Sequence, residues 1–209
     1  MPKKGAIMAY PIAKKLFFPL RWIWIRKING IENLPKGPFI FAANHGSFLD
    51  DLLLPMIIIT TINRYVHIYC NDEYFRNFFL RKFLEWGRVI PVRVYECSEK
   101  KAINKKAYKK ALRYLQKGEP IGIFPEGHRS PDGRIKKAHT GIGSLAAAAN
   151  VPVVPIGTKG TFRVWPKGTA LPRLKKIVVI QIGKPFVFKN KNPRQITVKV
   201  MQEILKLAK

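Results

Sequence analysis

From residue 38 onward the chain alternates short apolar runs with longer segments of helical periodicity, and no other feature restricts its fold as much. Buried strands are predicted at 39–43, 65–70, 89–92, 121–124, 153–156 and 177–182. Helices fit between most of them, at about 47–61, 72–86, 98–117 and 139–149, with Gly118 where a helix-ending glycine belongs. A last helix is predicted from Pro193, capped by Asn192, with Ile196, Val200, Ile204 and Leu207 at helical spacing. Alternation of this kind implies an α/β fold, a mostly parallel central sheet flanked by helices. The 209 residues suffice for one such domain, placed at 30–209.

Residues 1–29 read differently. The stretch 7–28 is predicted as one or two short helices, interrupted at Pro19. At helical spacing Leu16, Phe17, Leu20, Ile23 and Trp24 share one arc, with Lys14, Lys15, Arg21 and Arg26 opposite. An apolar arc facing a basic one suits a helix lying in a lipid interface, and Trp22 and Trp24 suit the headgroup zone. Residues 1–29 are therefore expected to be an amphipathic membrane anchor, contacting lipid through Leu16, Phe17, Leu20, Trp22, Ile23 and Trp24. The longest uninterrupted apolar stretch, 52–59, is too short to span a bilayer. No small-residue cleavage site follows the N-terminal stretch.

Charge narrows the partners. With 39 Lys and Arg against 12 Asp and Glu, the net charge is +27. A field of that size attracts nucleic acid, anionic headgroups or an acidic carrier protein. The predicted helix 98–117 carries Lys100, Lys101, Lys105, Lys106, Lys109, Lys110, Arg113 and Lys117, a face that either meets an anion, a headgroup or an acidic carrier protein, or is merely solvated. No nucleic-acid recognition motif is present, so a specific nucleic-acid partner is not expected. Together, anchor and charge point to a peripheral protein on the cytoplasmic face of a membrane, with an anionic lipid surface as partner. Cys70 and Cys97 lack metal or redox spacing and read as reduced thiols; no metal is expected.

Four short blocks carry chemistry. Asn44-His45-Gly46-Ser47-Phe48-Leu49-Asp50 follows a buried strand. Ser47 and Asp50 have capping-box spacing, so a helix should start at Ser47 and leave His45 in the loop before it. Asp50 either only caps that helix or also orients the imidazole, leaving the other ring nitrogen to accept a proton. Asp51 beside it lacks the cap spacing. Phe124-Pro125-Glu126-Gly127-His128-Arg129-Ser130 also follows an apolar strand. Its arginine fork can grip a phosphate, and Glu126 can orient that arginine, bind a hydroxyl, or simply form a surface ion pair. Gly87-Arg88-Val89-Ile90-Pro91-Val92-Arg93 is a strand ending in a cation, and Val151-Pro152-Val153-Val154-Pro155 is a strand bracketed by prolines. His67 reads as a core residue, and His139 either caps a helix or lines the cleft.

In order and spacing, the four blocks resemble those of the glycerolipid acyltransferase family, whose 1-acyl-sn-glycerol-3-phosphate acyltransferases are the nearest likeness. The likeness covers about 30–190, opening with Gly30-Ile31-Glu32-Asn33-Leu34-Pro35. It implies that His45, oriented by Asp50, deprotonates an acceptor hydroxyl, and that Arg93, Glu126, Gly127 and Arg129 bind the acceptor's glycerol phosphate. It places the acyl donor near Val151, Pro152, Val153, Val154 and Pro155. The implied reaction moves a fatty acyl group from an acyl thioester to the sn-2 hydroxyl of lysophosphatidic acid, giving phosphatidic acid. Glycerol 3-phosphate and other lysophospholipids are alternative acceptors. The co-substrate is acyl-CoA or acyl-acyl carrier protein, with no cofactor. Two positions depart from the family pattern: His128 stands where threonine is usual, and Asn71 where many relatives carry lysine. Outside that resemblance, a basic nucleic-acid-binding protein is the competing reading.

Overall fold

The computed structural model describes Pro19, residues 21–189 and residues 192–209. Seven strands, β1 (Ile25–Asn29), β2 (Ile40–Ala43), β3 (His67–Asn71), β4 (Ile90–Val92), β5 (Ile121–Ile123), β6 (Val153–Lys159) and β7 (Val178–Ile182), form one sheet in the order β1-β7-β6-β2-β5-β3-β4. Every pairing is parallel except β6 with β7. The five longer helices are α1 (Phe48–Ile62), α2 (Phe78–Trp86), α3 (Lys100–Gln116), α4 (Gly141–Ala149) and α5 (Pro193–Leu207). Single helical turns sit at Arg21–Trp24 and Thr161–Val164, and 3-10 turns at Ile31–Asn33 and Asp72–Phe75.

Both faces of the sheet are covered, which is why its strands read as continuous apolar runs. Strand alternation divides β2 and its neighbours between two cores. Phe39, Phe41 and Ala43 pack with Leu49, Leu53, Leu54, Ile57 and Ile58 of α1. Ile40 and Ala42 face Ala111 and Leu115 of α3, Leu145 of α4, and Ile196, Val200 and Ile204 of α5. Each fully buried Leu, Ile or Phe stabilises the fold by about 1.5–3 kcal/mol. The fit is tight at Gly122, where an added Cβ would lie 2.0 Å from Phe41 Cζ.

Two predicted elements change. The helix expected over 72–86 divides into the 3-10 turn Asp72–Phe75 and α2, because Asn77 takes an extended conformation and its side chain accepts from Leu80 N at 3.0 Å. The helix expected over 7–28 does not continue past Trp24. Residues 25–29 are instead the edge strand β1, parallel to β7, with Ile25 buried. A one-residue irregularity at Arg26 offsets the register, so strand pairing accommodates a pattern that helical spacing also fits. Trp24 correspondingly turns inward: it packs on the core and its Nε1 donates to Arg173 O at 3.0 Å. Trp22 and Ile23 remain exposed. Leu16, Phe17 and Leu20 lie outside the described residues. Among the described residues no helix is long and apolar enough to cross a membrane.

Candidate active site

Because β2 pairs in parallel with both β5 and β6, the loops leaving their carboxyl ends meet at one edge of the sheet, where open α/β sheets form a crevice. Asn44-His45 leaves β2 and Phe124-Pro125-Glu126 leaves β5. The two loops are hydrogen-bonded to each other. His45 N donates to Glu126 Oε1 at 2.8 Å, and His45 O accepts from Ser130 N at 2.8 Å. Asn44 ties the same loop to β6: its Nδ2 donates to Thr158 O at 2.9 Å and its Oδ1 accepts from Thr158 N at 2.7 Å.

The His45 imidazole lies on the Phe124 ring, with centroids 4.1 Å apart and planes at 19°. It sits between two carboxylates, Nδ1 3.7 Å from Asp50 Oδ2 and Nε2 3.6 Å from Asp51 Oδ2. Neither separation is a hydrogen bond, and Nδ1 is buried without a hydrogen-bond partner. Apo catalytic contacts are often long and tighten with substrate bound. Burial by itself lowers the imidazole pKa, but Asp51, Asp50 and Glu126 outweigh it, and the net displacement is upward.

Asp50 caps the helix and faces the imidazole. Ser47 Oγ accepts from Leu49 N, while Asp50 Oδ2 accepts from Gly46 N and Ser47 N, each at 2.8 Å; the capping box is complete. Asp50 Oδ1 accepts from Thr158 Oγ1 at 3.0 Å. The carboxylate thus accepts three hydrogen bonds and is 1% exposed while its Oδ2 faces the imidazole. Asp51 is more open and is pushed up to about 6, first by desolvation, with Asp50 adding and His45 and Arg129 opposing.

Arg129 lies with its guanidinium 3.6 Å over the Phe48 ring, and its Nη2 donates to Tyr74 Oη at 3.4 Å. Among the described residues no carboxylate stands within ion-pair distance of it, so its fork is open to an anion. With His128, Lys136, Lys137, His139 and Lys167 it lines a recess of about 640 Å³. Lys136 is partly neutralised by Asp132 at 2.7 Å. His139 therefore lines the cleft, one of the two alternatives its position left open.

The other expected contacts are not gathered there. Arg93 is not in the recess: its Nε and Nη2 donate to the Asp72 carboxylate at 2.6–2.8 Å and its Nη1 to Cys97 Sγ at 3.2 Å, so its fork is already used. Glu126 is 0% exposed, with Oε1 on His45 N and Oε2 accepting from Lys136 N at 2.7 Å. It fastens the two loops together instead of facing a ligand, and burial raises its pKa against those two donors. Gly127 has φ +74°, and an added Cβ would meet His139 Cδ2 at 3.0 Å, so its part is the turn. Val153 and Val154 are 0% exposed and Pro155 is buried within β6; the block is core strand, with only Val151 and Pro152 at partial exposure. Thr158 was missed, because a threonine at the end of a valine-rich strand carries no motif. Among the described residues no group of His, Cys, Asp and Glu side chains converges to hold a metal ion.

Comparison with known proteins gives a consistent family. A model of the acyltransferase family matches residues 25–159. The chloroplast 1-acyl-sn-glycerol-3-phosphate acyltransferase of Brassica napus is 28% identical over 148 residues, covering 68% of this chain and 39% of that protein. The 1-acyl-sn-glycerol-3-phosphate acyltransferase of Bacillus subtilis is 27% identical over 144 residues, 68% of each chain. The chain thus spans about two fifths of the plant relative's length. In three dimensions it is similar to the crystal structure of the 1-acyl-sn-glycerophosphate acyltransferase PlsC of Thermotoga maritima, with TM-score 0.72, 22% identity, and coverage of 99% of this chain and 82% of that one. That likeness speaks to the fold.

Proposed function

This chain belongs to the acyltransferase family, and on that premise we propose that it transfers a fatty acyl group from an acyl thioester to the sn-2 hydroxyl of 1-acyl-glycerol 3-phosphate, forming phosphatidic acid. The observation that carries the proposal is the His45 imidazole held between Asp50 and Asp51 at the carboxyl end of β2, beside an open arginine fork. The family placement favours this over a nucleic-acid-binding role.

In this reading neutral His45 takes the proton of the sn-2 hydroxyl as its oxygen attacks the thioester carbonyl. The carbon–oxygen bond forms, the tetrahedral centre collapses, the carbon–sulfur bond breaks, and the imidazolium returns the proton to the departing thiolate. Asp50 holds the ring and stabilises its charged form, while the Glu126 and Ser130 contacts fix its main chain. Arg129 and the recess cations take the acceptor phosphate. The carboxylates that raise the His45 pKa make it a stronger base near neutral pH.

The substrates are then lysophosphatidic acid and acyl-CoA or acyl-acyl carrier protein, without a cofactor. The enzyme works as a peripheral protein on the cytoplasmic face of the membrane, with residues 1–29 contributing to the attachment. Supplying lysophosphatidic acid, glycerol 3-phosphate and a phosphate-free lysolipid with each donor tests the assignment. Lysophosphatidic acid should be the best acceptor, and Arg129→Ala should raise its KM about tenfold while leaving the donor KM nearly unchanged. Preference for the phosphate-free lysolipid would defeat the assignment of the recess.

A further inference from the structure

Helix α2 packs almost nothing into the protein. None of its residues is buried and only Leu84 is half-buried, while Phe78, Phe79, Phe83 and Trp86 are 57%, 83%, 50% and 53% exposed. Scattered apolar surface residues need no explanation, but four aromatic rings on one short helix form a patch of the kind that marks an interaction site. The rings contact one another, Phe78 with Phe79 and Phe83 with Trp86. Cations accompany them: Arg81 and Lys82 lie 5.7 and 5.8 Å from the Phe78 ring centroid. Glu85 is the helix's single acidic residue, and it lies 3.9 Å from Arg81.

The patch is continuous with the active site. Tyr74, whose hydroxyl meets Arg129, belongs to the turn that leads into α2, and its ring is 6.0 Å from Phe48. The Phe48 ring also lies 5.8 Å from Trp165. Trp165 opens the loop 166–176, where Leu171 and Leu174 are each 80% exposed among Lys167, Arg173, Lys175 and Lys176. Two apolar, cation-flanked segments therefore depart from contacts to the same ring that holds Arg129.

We propose that the aromatic face of α2, together with Leu171 and Leu174, seats the protein on an anionic lipid leaflet beside the His45 site. Aromatic rings with flanking cations match the headgroup boundary, and an anionic surface complements the +27 charge. A lipid acceptor then reaches Arg129 and His45 from the leaflet without leaving it fully. This contact is separate from residues 1–29, and its choice of partner rests on the acyl-transfer reading.

The test uses the full chain and vesicles of phosphatidylcholine with phosphatidylglycerol. The Phe79→Ser, Phe83→Ser double variant should lose about tenfold or more in vesicle partition, and Leu171→Ser, Leu174→Ser a smaller factor. Leu205→Ser, equally apolar and 45% exposed on α5, should leave partition unchanged. Unchanged partition in both double variants overturns the proposal. Amide exchange across residues 78–86 should slow when vesicles are added; full protection without vesicles would mean that another segment of the chain covers the face, and would overturn it too. Activity separates the two readings. The α2 variant should fall on vesicle-borne acceptor and stay near wild type on short-chain acceptor and donor in free solution. A wild-type protein that acylates no acceptor would sink the acyl-transfer reading, while its vesicle partition still decides this one.

Discussion

His45 and His67 are built from the same parts and are set to opposite purposes. Both are buried, both stack on an aromatic ring, and both neighbour a carboxylate. His67 starts β3 at the amino end of the sheet, and both its ring nitrogens face acceptors, Nδ1 at 3.0 Å from Arg88 O and Nε2 at 2.9 Å from Glu119 Oε2, so the neutral ring donates to one of them. Its pKa is lowered, by burial first of all. His45 follows β2 at the carboxyl end, its Nδ1 without a partner, its Nε2 near but not bonded to Asp51, and its pKa raised. A histidine whose bonding capacity is filled is structural; one surrounded by charge but left unfilled is available for proton transfer.

Exchanging each ring for a methyl group gives the strongest test of that contrast. His45→Ala should reduce turnover by about 10²–10⁴-fold, the usual contribution of a general base, with an unchanged melting curve. His67→Ala should do the reverse. Loss of the Tyr114 stack and of the ring's hydrogen bonding should cost about 2–4 kcal/mol in chemical denaturation, with near-normal kcat in the folded fraction. Because the folded pKa of His67 lies below that of the unfolded chain, wild-type stability carries a term that falls as pH drops through about 6.5, where the unfolded state binds the extra proton. The variant should lose that term. A large kcat loss in stable His67→Ala would remove the distinction.

Glu126→Gln probes the support beneath His45. One amide oxygen can still accept from a single loop, but the amide NH2 then faces the other backbone N–H, so a buried donor is left opposed. The expected cost is about 1–3 kcal/mol in stability, with activity reduced about tenfold as the His45 loop loosens. Full activity with normal stability would mean that Ser130 N and Asn44 alone hold the loop.

The sequence specified the sheet more completely than the site. Apolar runs located six strands, because strands buried on both faces cannot be written in polar residues. β1 escaped because Arg26 and Lys27 interrupt its apolar run, and its pairing with β7 is irregular between Ile25 and Lys27. Within the site, the nearness of Asp50 to His45 was legible because the capping box of Ser47 and Asp50 starts the helix just after His45. The partners of Arg93 and Glu126 were not legible, because Asp72 and the amides of His45 and Lys136 are brought close only by folding. No pattern within a strand-end arginine says whether its fork is already occupied. The α2 patch was hidden for a similar reason: its sequence reads only as part of a helix over 72–86, and packing alone reveals that none of its side chains is buried.

Asp51→Asn gives the smallest and most specific change. Asp51 is the foremost of the groups that raise the His45 pKa, and its own carboxyl, at about 6, is charged at neutral pH. A general base acts when neutral, so the acid limb of kcat/KM should rise with pH through the raised His45 pKa, above the ordinary imidazole value. Removing the Asp51 charge lowers that pKa, and the limb should move to lower pH. Wild type and variant should converge well below pH 6, where Asp51 is itself protonated and exerts no field. His45→Ala combined with Asp51→Asn should show no limb at all. An unmoved limb in Asp51→Asn would mean that Asp50 and Glu126 alone set the equilibrium of His45, so that availability of the ring, and not a second carboxylate, is what separates it from His67.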